Sequence, residues 1–316
     1  MTYDKVLVTG GAGFIGSHTV DQLLKEGSKV WVLDDFSTGS RSNLRTWKNN
    51  RRFHLQQATV TNYQKVLSLA RRVDAIVHLA AVVSPYVSMH KPEVTNEINV
   101  TGTLNVLRAS VKTGLKRVVY ASSSSVYGDQ THLPITENNP VQPITPYGAT
   151  KLSGEKYCNA FYASYGLEPV SLRYFNVYGK RQSANPYSGV IAIFADRLRR
   201  GLRPLIYGDG KQTRDFIHVS DVVKANLLAL YATRGFGEAF NIGTGIPTSV
   251  LRLHSVLAHV LGTPGSAPAY RQRRPGDIRH SFADATKARN ILGFRSEVKL
   301  RHGLETFVPP APNIGE

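Results

Sequence analysis

The stretch Lys5-Val6-Leu7-Val8-Thr9-Gly10-Gly11-Ala12-Gly13-Phe14-Ile15-Gly16 decides the fold of this chain. Its apolar first half is typical of a buried strand, and apolar residues continue at helical spacing with Ile15, Val20 and Leu23. The glycines between them give the pattern G-x-G-x-x-G. This pattern permits a tight turn, a close approach of the backbone to a pyrophosphate, and close packing of helix on strand. Because the helix N-terminus faces that negative charge, the stretch predicts a dinucleotide-binding turn.

Short β-branched runs alternate with amphipathic stretches through the first half of the chain. The alternation predicts an α/β fold: a doubly wound parallel sheet of the Rossmann type with a smaller mixed α/β substrate domain. We place the dinucleotide domain at 1–172 and the substrate domain at 173–316, with a return of 214–246 to the first domain as an alternative. The predicted strands are 5–9, 29–33, 52–56, 74–79, 117–121 and 169–173, and the predicted later helices are 190–200, 219–232, 249–261 and 284–292.

Composition excludes several classes of protein. The 316 residues are 41% hydrophobic, enough for a large core, but no run approaches the length of a membrane span. We find no secretory signal, and Cys158, the only cysteine, excludes an internal disulfide framework and a cysteine metal cluster. The expectation is a cytoplasmic protein without a bound metal.

The formal net charge of +17 has two interpretations: a nucleic-acid surface, or a basic exterior that attracts phosphorylated substrates. The chain has no aromatic-interleaved basic strand and no helix-turn-helix or zinc signature. We therefore expect no nucleic-acid partner and no membrane partner.

The predicted cofactor is NAD. Asp34 lies 18 residues beyond Gly16, where a carboxylate accepts ribose hydroxyls and repels the extra phosphate of NADP. The alternative is a structural turn with a surface aspartate. His78-Leu79-Ala80-Ala81 ends a predicted strand with small residues that leave room for a flat cofactor, although simple packing explains them equally well, and we expect His78 to be a packed, hydrogen-bonded histidine.

Tyr147 and Lys151 are the candidate catalytic pair. Four residues apart, they share one face of a helix. A tyrosine with a pKa of about 10 is a poor base, and a nearby ammonium and nicotinamide cation would lower that pKa. The run Ser122-Ser123-Ser124-Ser125 follows a predicted strand, at the sheet edge where ligands bind. The competing interpretation is a Tyr-x-x-x-Lys pattern on a solvated helix.

With these motifs in order, residues 4–308 or so resemble the extended short-chain dehydrogenase/reductase superfamily, and within it the nucleotide-sugar 4-epimerases of the UDP-galactose/UDP-N-acetylglucosamine type. Beyond the stretches quoted above, the resemblance is carried by Asp34-Asp35-Phe36-Ser37-Thr38-Gly39, Asn99-Val100-Thr101-Gly102-Thr103, Arg173-Tyr174-Phe175-Asn176-Val177-Tyr178-Gly179, Gly208-Asp209-Gly210, Arg214-Asp215-Phe216 and Arg274-Pro275-Gly276-Asp277.

The resemblance implies an NAD-dependent isomerase that interconverts UDP-glucose and UDP-galactose, and the N-acetylated forms, by hydride transfer through a 4-keto sugar. It implies a homodimer, paired through helices near 97–112 and 148–165. The catalytic residues would be Ser123, Tyr147 and Lys151. The cofactor-binding residues would be Gly10, Gly13, Phe14, Ile15, Gly16, Asp34, Asp35, Ser37, Thr38, Gly39, Leu79, Ala80, Ala81, Asn99, Ser122, Tyr147, Lys151 and Tyr174. The substrate-binding residues would be Ser84, Ser123, Ser124, Ser125, Tyr147, Asn176, Val190, Tyr207, Arg214, Arg274, Asp277 and Ser281.

Two positions separate this chain from other members of the superfamily. Relatives that dehydrate or decarboxylate nucleotide sugars carry acidic residues where this chain has Ser124 and Ser125, and expelling a hydroxyl needs an acid. This favours epimerisation over the alternatives, a 4,6-dehydratase, a 4-reductase or a non-catalytic binder. Ser281 matches the family's size gate and would admit an N-acetyl group. At Ala58-Thr59-Val60 the usual aspartate near the adenine is missing, so the adenine contact must differ.

Overall fold

The computed structural model describes residues 3–182, 189–273 and 277–307. The strands are Lys5–Thr9 (β1), Lys29–Asp34 (β2), Phe53–Gln57 (β3), Ala75–His78 (β4), Arg117–Ser123 (β5), Glu168–Tyr174 (β6), Asn176–Tyr178 (β7), Leu205–Tyr207 (β8), Thr213–His218 (β9), Ala239–Ile242 (β10), Pro247–Ser249 (β11), Ala269–Arg271 (β12) and His280–Ser281 (β13). The α-helices are Phe14–Lys25 (α1), Tyr63–Ala70 (α2), Pro85–His90 (α3), Pro92–Asn96 (α4), Gly102–Thr113 (α5), Pro146–Tyr165 (α6), Val190–Arg199 (α7), Val219–Leu230 (α8), Val250–Val260 (α9), Thr286–Leu292 (α10) and Leu300–Phe307 (α11). Short 3₁₀ segments cover Arg41–Trp47 and Ser124–Val126, and a π-helical segment covers Glu97–Thr101.

Seven parallel strands form the main sheet, in the order β10-β6-β5-β4-β1-β2-β3. Val6 and Val8 pack into one apolar cluster and Leu7 into another, because successive side chains of a strand point to opposite faces. Helices cover both faces, which is why the inner strands read as continuous apolar runs. The predicted doubly wound fold is confirmed, and the predicted strands and later helices match the observed ones to within two residues at each end.

The smaller lobe is built around β9. This strand pairs in parallel with β7 and β13 and antiparallel with β11. Asp215 in β9 is fully buried, and its carboxylate accepts hydrogen bonds from the backbone N–H groups of Thr244, Gly245 and Ala283. The carboxylate therefore anchors three separate segments of the chain to the lobe that carries the predicted substrate residues.

The chain crosses between the lobes more than once. It leaves the large sheet after β6 and builds β7 to β9. It then returns through α8 to β10, which pairs with β6 along Ala239–Ile242. Residues 213–218 thus belong to the small sheet and 239–242 to the large one. The domain boundaries at 172 and 173 stay a prediction. Among the described residues, no helix combines the length and the apolar character that crossing a membrane requires.

Candidate active site at the carboxyl edge of the sheet

The glycine turn lies at the end of β1 and leads directly into α1. Gly10 has φ +68°, and a Cβ there would lie 2.7 Å from the backbone nitrogen of Ala80. A Cβ on Gly16 would collide with the carbonyl oxygen of Gly10. Gly13 is the N-cap of α1, and no side chain caps this helix end. The turn therefore presents backbone N–H groups to an anion, with Phe14 and Ile15 in the first turn of the helix.

Asp34 shapes the loop beside this turn. Its two carboxylate oxygens accept hydrogen bonds from the backbone N–H groups of Ala12 and Phe36, each at 2.8 Å. Burial raises the pKa of Asp34, and these two hydrogen bonds act in the opposite direction. Asp35 in turn accepts from the backbone N–H of Ser37 at 2.9 Å. The loop reaches Gly39, where a Cβ would lie 2.9 Å from Asp34 Oδ1.

These residues fit NAD. A helix N-terminus without a capping side chain suits a pyrophosphate. Each Asp34 oxygen keeps a second lone pair with which it can accept a ribose hydroxyl. The predicted neighbours Leu79, Ala80 and Ala81 follow β4 directly, next to the glycine turn, and Thr38 lies in the loop beside Gly39.

His78 is a packed histidine, as predicted. It is buried, and its ring nitrogens lie 2.7 Å from Thr9 Oγ1 and 3.0 Å from Thr103 Oγ1. Burial lowers the pKa of His78 to about 3, so the ring is neutral. It joins β1, β4 and α5 and has no proton to offer near neutral pH.

The structure brings Ser123, Tyr147 and Lys151 together beneath the end of β5. All three are buried, and Lys151 Nζ donates to the carbonyl oxygen of Ala121 at 2.8 Å. Ser123 Oγ lies 3.1 Å from Ser125 Oγ and accepts from the Ser125 N–H. Burial lowers the pKa of Lys151 to about 7. The spacing argument thus placed the tyrosine and lysine on the buried face of α6.

Tyr147 differs from the sequence prediction in one respect. Burial raises the pKa of its phenol above the usual range, and a hydrogen bond with Ser123 acts in the opposite direction. The prediction of a lowered pKa assumed that cations face the phenol. In this structure the Lys151 ammonium is instead bonded to the β5 backbone.

Other predicted cofactor residues have protein partners. The Asn99 amide, in the π-helical segment, accepts from the Val82 N–H at 2.8 Å and donates to the Val82 carbonyl at 3.0 Å. Tyr174 donates its hydroxyl to Asn226 at 2.5 Å. Ser122 donates to Glu155. These side chains hold the wall of the site.

Ser84 is the N-cap of α3, where its hydroxyl accepts from the Val87 N–H at 3.2 Å. This geometry matches the alternative of a loop-capping serine. Ser124 and Ser125 are half-buried in the 3₁₀ turn after β5. The hydroxyls thus lie on both sides of Tyr147, whose backbone N–H donates to Ser88 Oγ at 3.1 Å.

The predicted substrate residues of the second lobe line the other side. Arg214 donates to Asp277 at 2.7 Å, so the residue expected to hold a diphosphate and the one expected to hold a ribose are paired with each other. Ser281 is buried beside Arg214 in the β13–β9 pairing. The remaining predicted residues are exposed Asn176 in β7, Val190 at the start of α7 and Tyr207 at the end of β8, whereas Arg274 lies outside the described residues.

Two ion pairs were not predicted from the sequence. Glu155 pairs with Arg173 inside the protein, and Asp209 pairs with Arg279 at the surface through two hydrogen bonds of 2.7 and 2.9 Å. Glu155 lies four residues beyond Lys151, so its position on the buried face of α6 was the available signal.

The comparisons with known proteins agree with this geometry. Residues 6–243 match the model of the NAD dependent epimerase/dehydratase family. A UDP-glucose 4-epimerase from Thermotoga maritima, solved with UDP-glucose, is 39% identical with a TM-score of 0.90, covering 96% of this chain and 97% of that one. A UDP-N-acetylglucosamine 4-epimerase from Methanobrevibacter ruminantium, solved with UDP-N-acetylmuramic acid, is 36% identical with a TM-score of 0.92, covering 97% of both chains.

The family also contains dehydratases of the same shape. A dTDP-glucose 4,6-dehydratase from Streptomyces venezuelae, solved with NAD, is 33% identical with a TM-score of 0.88, covering 96% of this chain and 95% of that one. Its similarity means that the fold alone does not select the reaction. With a matching family model, close relatives and a dinucleotide seat that fits NAD, the chain belongs to the NAD-dependent epimerase/dehydratase family, within the extended short-chain dehydrogenases/reductases.

Proposed function

We propose that the protein is a UDP-hexose 4-epimerase that interconverts UDP-glucose and UDP-galactose and also accepts their N-acetylated forms. The observation that carries the proposal is the turn after β5, where Ser123, Ser124 and Ser125 face the active-site tyrosine without a carboxylate among them. An acid at this turn is what elimination of a sugar hydroxyl would need. Epimerisation needs only a group that takes a proton from the sugar O4 and returns it.

Tyr147 is the acid/base of the proposed reaction. NAD, when bound, accepts a hydride from the sugar C4 and gives it back to the other face. The Tyr147 phenol takes the hydroxyl proton from O4 as the ketone forms and returns it when the ketone is reduced. Ser123 donates a hydrogen bond to the same oxygen and holds it toward the phenol. The Lys151 ammonium stabilises the phenolate, because a positive charge in a buried site favours the ionised tyrosine.

The nucleotide half of the substrate is assigned to the second lobe. Arginine matches phosphate oxygens well, and Arg214 and Arg274 are the proposed diphosphate ligands. Binding of the diphosphate would then replace the Arg214 contact to Asp277 and release that carboxylate for the ribose hydroxyls. The net charge of +17 adds a field that attracts the anionic substrate.

The test uses purified protein with UDP-galactose or UDP-N-acetylgalactosamine and no added NAD. The expected result is a mixture of the two 4-epimers, since an epimerase regenerates its cofactor in each turnover. A matched control is the Tyr147→Phe variant, which lacks only the phenol oxygen. Accumulation of a 4-keto product would select the dehydratase, and consumption of added NADH would select the reductase.

Ser281→Tyr tests the range of substrates. A tyrosine at this buried position would fill the space proposed for an N-acetyl group, so turnover of UDP-N-acetylgalactosamine should fall at least about tenfold while that of UDP-galactose is retained. Ser281→Ala is the control and should keep both activities. Equal turnover of both substrates by the tyrosine variant would refute the size-gate assignment.

The assembly we propose is a homodimer. Helix α6 exposes three tyrosines on its outer side, Tyr157, Tyr162 and Tyr165, and large exposed apolar groups are typical of interfaces. Light scattering of the purified protein would contradict the dimer if it gave the mass of a single 34.8 kDa chain.

A further inference from the structure

A buried ion pair lies directly behind the active site. Arg173 in β6 donates two hydrogen bonds to the carboxylate of Glu155 in α6, at 2.9 and 2.7 Å. The two side chains are only 8% and 7% exposed. Removing two charges from water is costly, and the cost is offset only when the geometry is good and the remaining polar atoms also find partners.

The remaining polar atoms of the pair do find partners. Glu155 also accepts a hydrogen bond from the hydroxyl of Ser122. Arg173 donates a third hydrogen bond to the Tyr127 hydroxyl at 2.8 Å, and that hydroxyl donates to the Asn241 side chain at 2.6 Å. We call these five residues, Ser122, Tyr127, Glu155, Arg173 and Asn241, the carboxyl-edge network.

Strand register explains why these residues meet. Ser122 in β5 is aligned with Arg173 in β6, and Arg173 is aligned with Asn241 in β10. The three residues form one row across three parallel strands, near their carboxyl ends. Glu155 reaches this row from α6, and Tyr127 reaches it from just after the 3₁₀ turn.

The network touches each element that carries a proposed catalytic residue. Ser122 precedes Ser123 in β5, Glu155 is one helical turn beyond Lys151, and Tyr127 closes the serine turn. A shift of Glu155 would therefore move the end of β5 relative to α6. Displacements of this kind are costly in catalysis even when they are small.

Glu155 also differs from the other titratable groups around Lys151. Those groups are Cys158 on the same helix, His78 from β4 and Tyr120 from β5, whose ring lies 5.2 Å from Lys151 Nζ. Burial raises the pKa of Cys158 to about 12, raises the pKa of Tyr120 further above its usual range and lowers the pKa of His78 to about 3. These three groups are therefore neutral near pH 7, and the carboxylate of Glu155 is the negative charge of the set.

We propose that Glu155, held in place by Arg173, is a positioning residue for the reaction: it fixes the end of β5 through Ser122 and supplies the charge that holds Lys151 as an ammonium. The proposal rests on the proposed function, because it assigns Glu155 a task only if Ser123, Tyr147 and Lys151 perform the chemistry.

The main test is the pH profile of kcat for Glu155→Gln. The amide keeps the size of the side chain and an acceptor for Ser122 but removes the charge. Loss of a unit charge this close should move the alkaline limb of the profile to lower pH by roughly one to two units, because Lys151 then loses its proton more readily. At the optimum, kcat should fall roughly 10- to 100-fold.

The chain offers a matched control at the other end of the same strands. Arg117 in β5 pairs with Glu168 in β6 at 3.0 Å, near the amino ends and remote from Lys151. Glu168→Gln removes an ion pair of the same type and should leave the alkaline limb where it is in the wild type. An unmoved limb in a folded Glu155→Gln variant, or an equal shift in Glu168→Gln, would overturn the proposed charge role.

Two further variants keep the proposal testable if Glu155→Gln fails to fold. Glu155→Asp keeps the charge and should keep the alkaline limb within a few tenths of a unit while lowering kcat. Ser122→Ala removes only the link to β5 and should lower kcat several-fold with no movement of the limb and an unchanged unfolding midpoint. A Ser122→Ala variant with the wild-type kcat would overturn the positioning of β5. Wild-type protein without epimerase activity would instead refute the proposed function, so the two failures are distinguishable.

Discussion

Strands β5 and β6 carry an arginine–glutamate pair at each end, and the two pairs differ in their surroundings. At the amino end Arg117 donates to the carbonyl oxygen of Ala229 and lies 4.4 Å from the ring of Phe236, while Glu168 is 34% exposed. At the carboxyl end both members of the Glu155–Arg173 pair are buried among polar side chains. One pair anchors a strand to its neighbours at the surface; the other leads to the active site. The same two residue types therefore perform different tasks according to which end of the sheet holds them.

The largest effect expected from this contrast is on catalysis at the carboxyl end. Tyr147→Phe removes the proposed acid/base and should lower kcat by roughly 10²- to 10⁴-fold, the usual contribution of proton transfer. Initial rates with UDP-galactose measure it. Tyr231→Phe is the control at the opposite end, where Tyr231 follows α8 and stacks on Tyr3, and it should keep the wild-type rate. A fully active Tyr147→Phe variant would remove the basis for the mechanism.

The next effect is on stability, and it compares the two arginines directly. Arg173→Met leaves the buried Glu155 carboxylate without its partner and should cost about 3–5 kcal/mol of unfolding free energy. Arg117→Met should cost less, about 1–2 kcal/mol, because Glu168 can be hydrated and because the Arg117 Nε has no hydrogen-bond partner to lose. Urea unfolding of the two variants at neutral pH decides it. Equal losses would show that the two ends do not differ in the way described above.

The smallest expected effect links Lys151 to pH. Burial lowers the pKa of Lys151 from 10.5 to about 7, so between these values the unfolded chain binds a proton that the folded protein does not. Folding stability contributed by this group therefore rises with pH across that window, and the cost of burying the ammonium is present in full below it. Lys151→Met should abolish this rise and should stabilise the protein by about 1–2 kcal/mol near pH 6, at the expense of activity. Unfolding free energies at several pH values test it, and a variant with the wild-type pH dependence would contradict it.

Much of the large sheet could be predicted because its signal is local. A parallel strand covered on both faces is an apolar run, and the glycine turn after β1 fixes where the first strand ends and the first helix begins. Tyr147 and Lys151 were found by the same kind of reasoning, since a spacing of four residues places them on one helical face. These features need no knowledge of distant parts of the chain.

The carboxyl-edge network could not be predicted in this way, because its members come from distant parts of the chain. Asn241 meets Arg173 only because β10 returns to pair with β6, and that pairing follows from topology. The Arg214–Asp277 pair was missed for a related reason: each residue was assigned to a ligand, and the sequence gave no indication that β9 and the segment before β13 bring the two together. Ser84 was assigned to the sugar with helix capping as the alternative, and here the geometry of α3 displays the cap.

The return of the chain to β10 has a consequence for protein engineering. Because β10 completes the large sheet and α8 packs against α1, β5 and β6, the substrate lobe cannot be exchanged between relatives by a single crossover after β6. A chimera joined only there would combine an edge strand from one parent with a partner strand from the other. Lobe exchange would need further junctions near the ends of β9 and β10, so that each sheet is inherited whole.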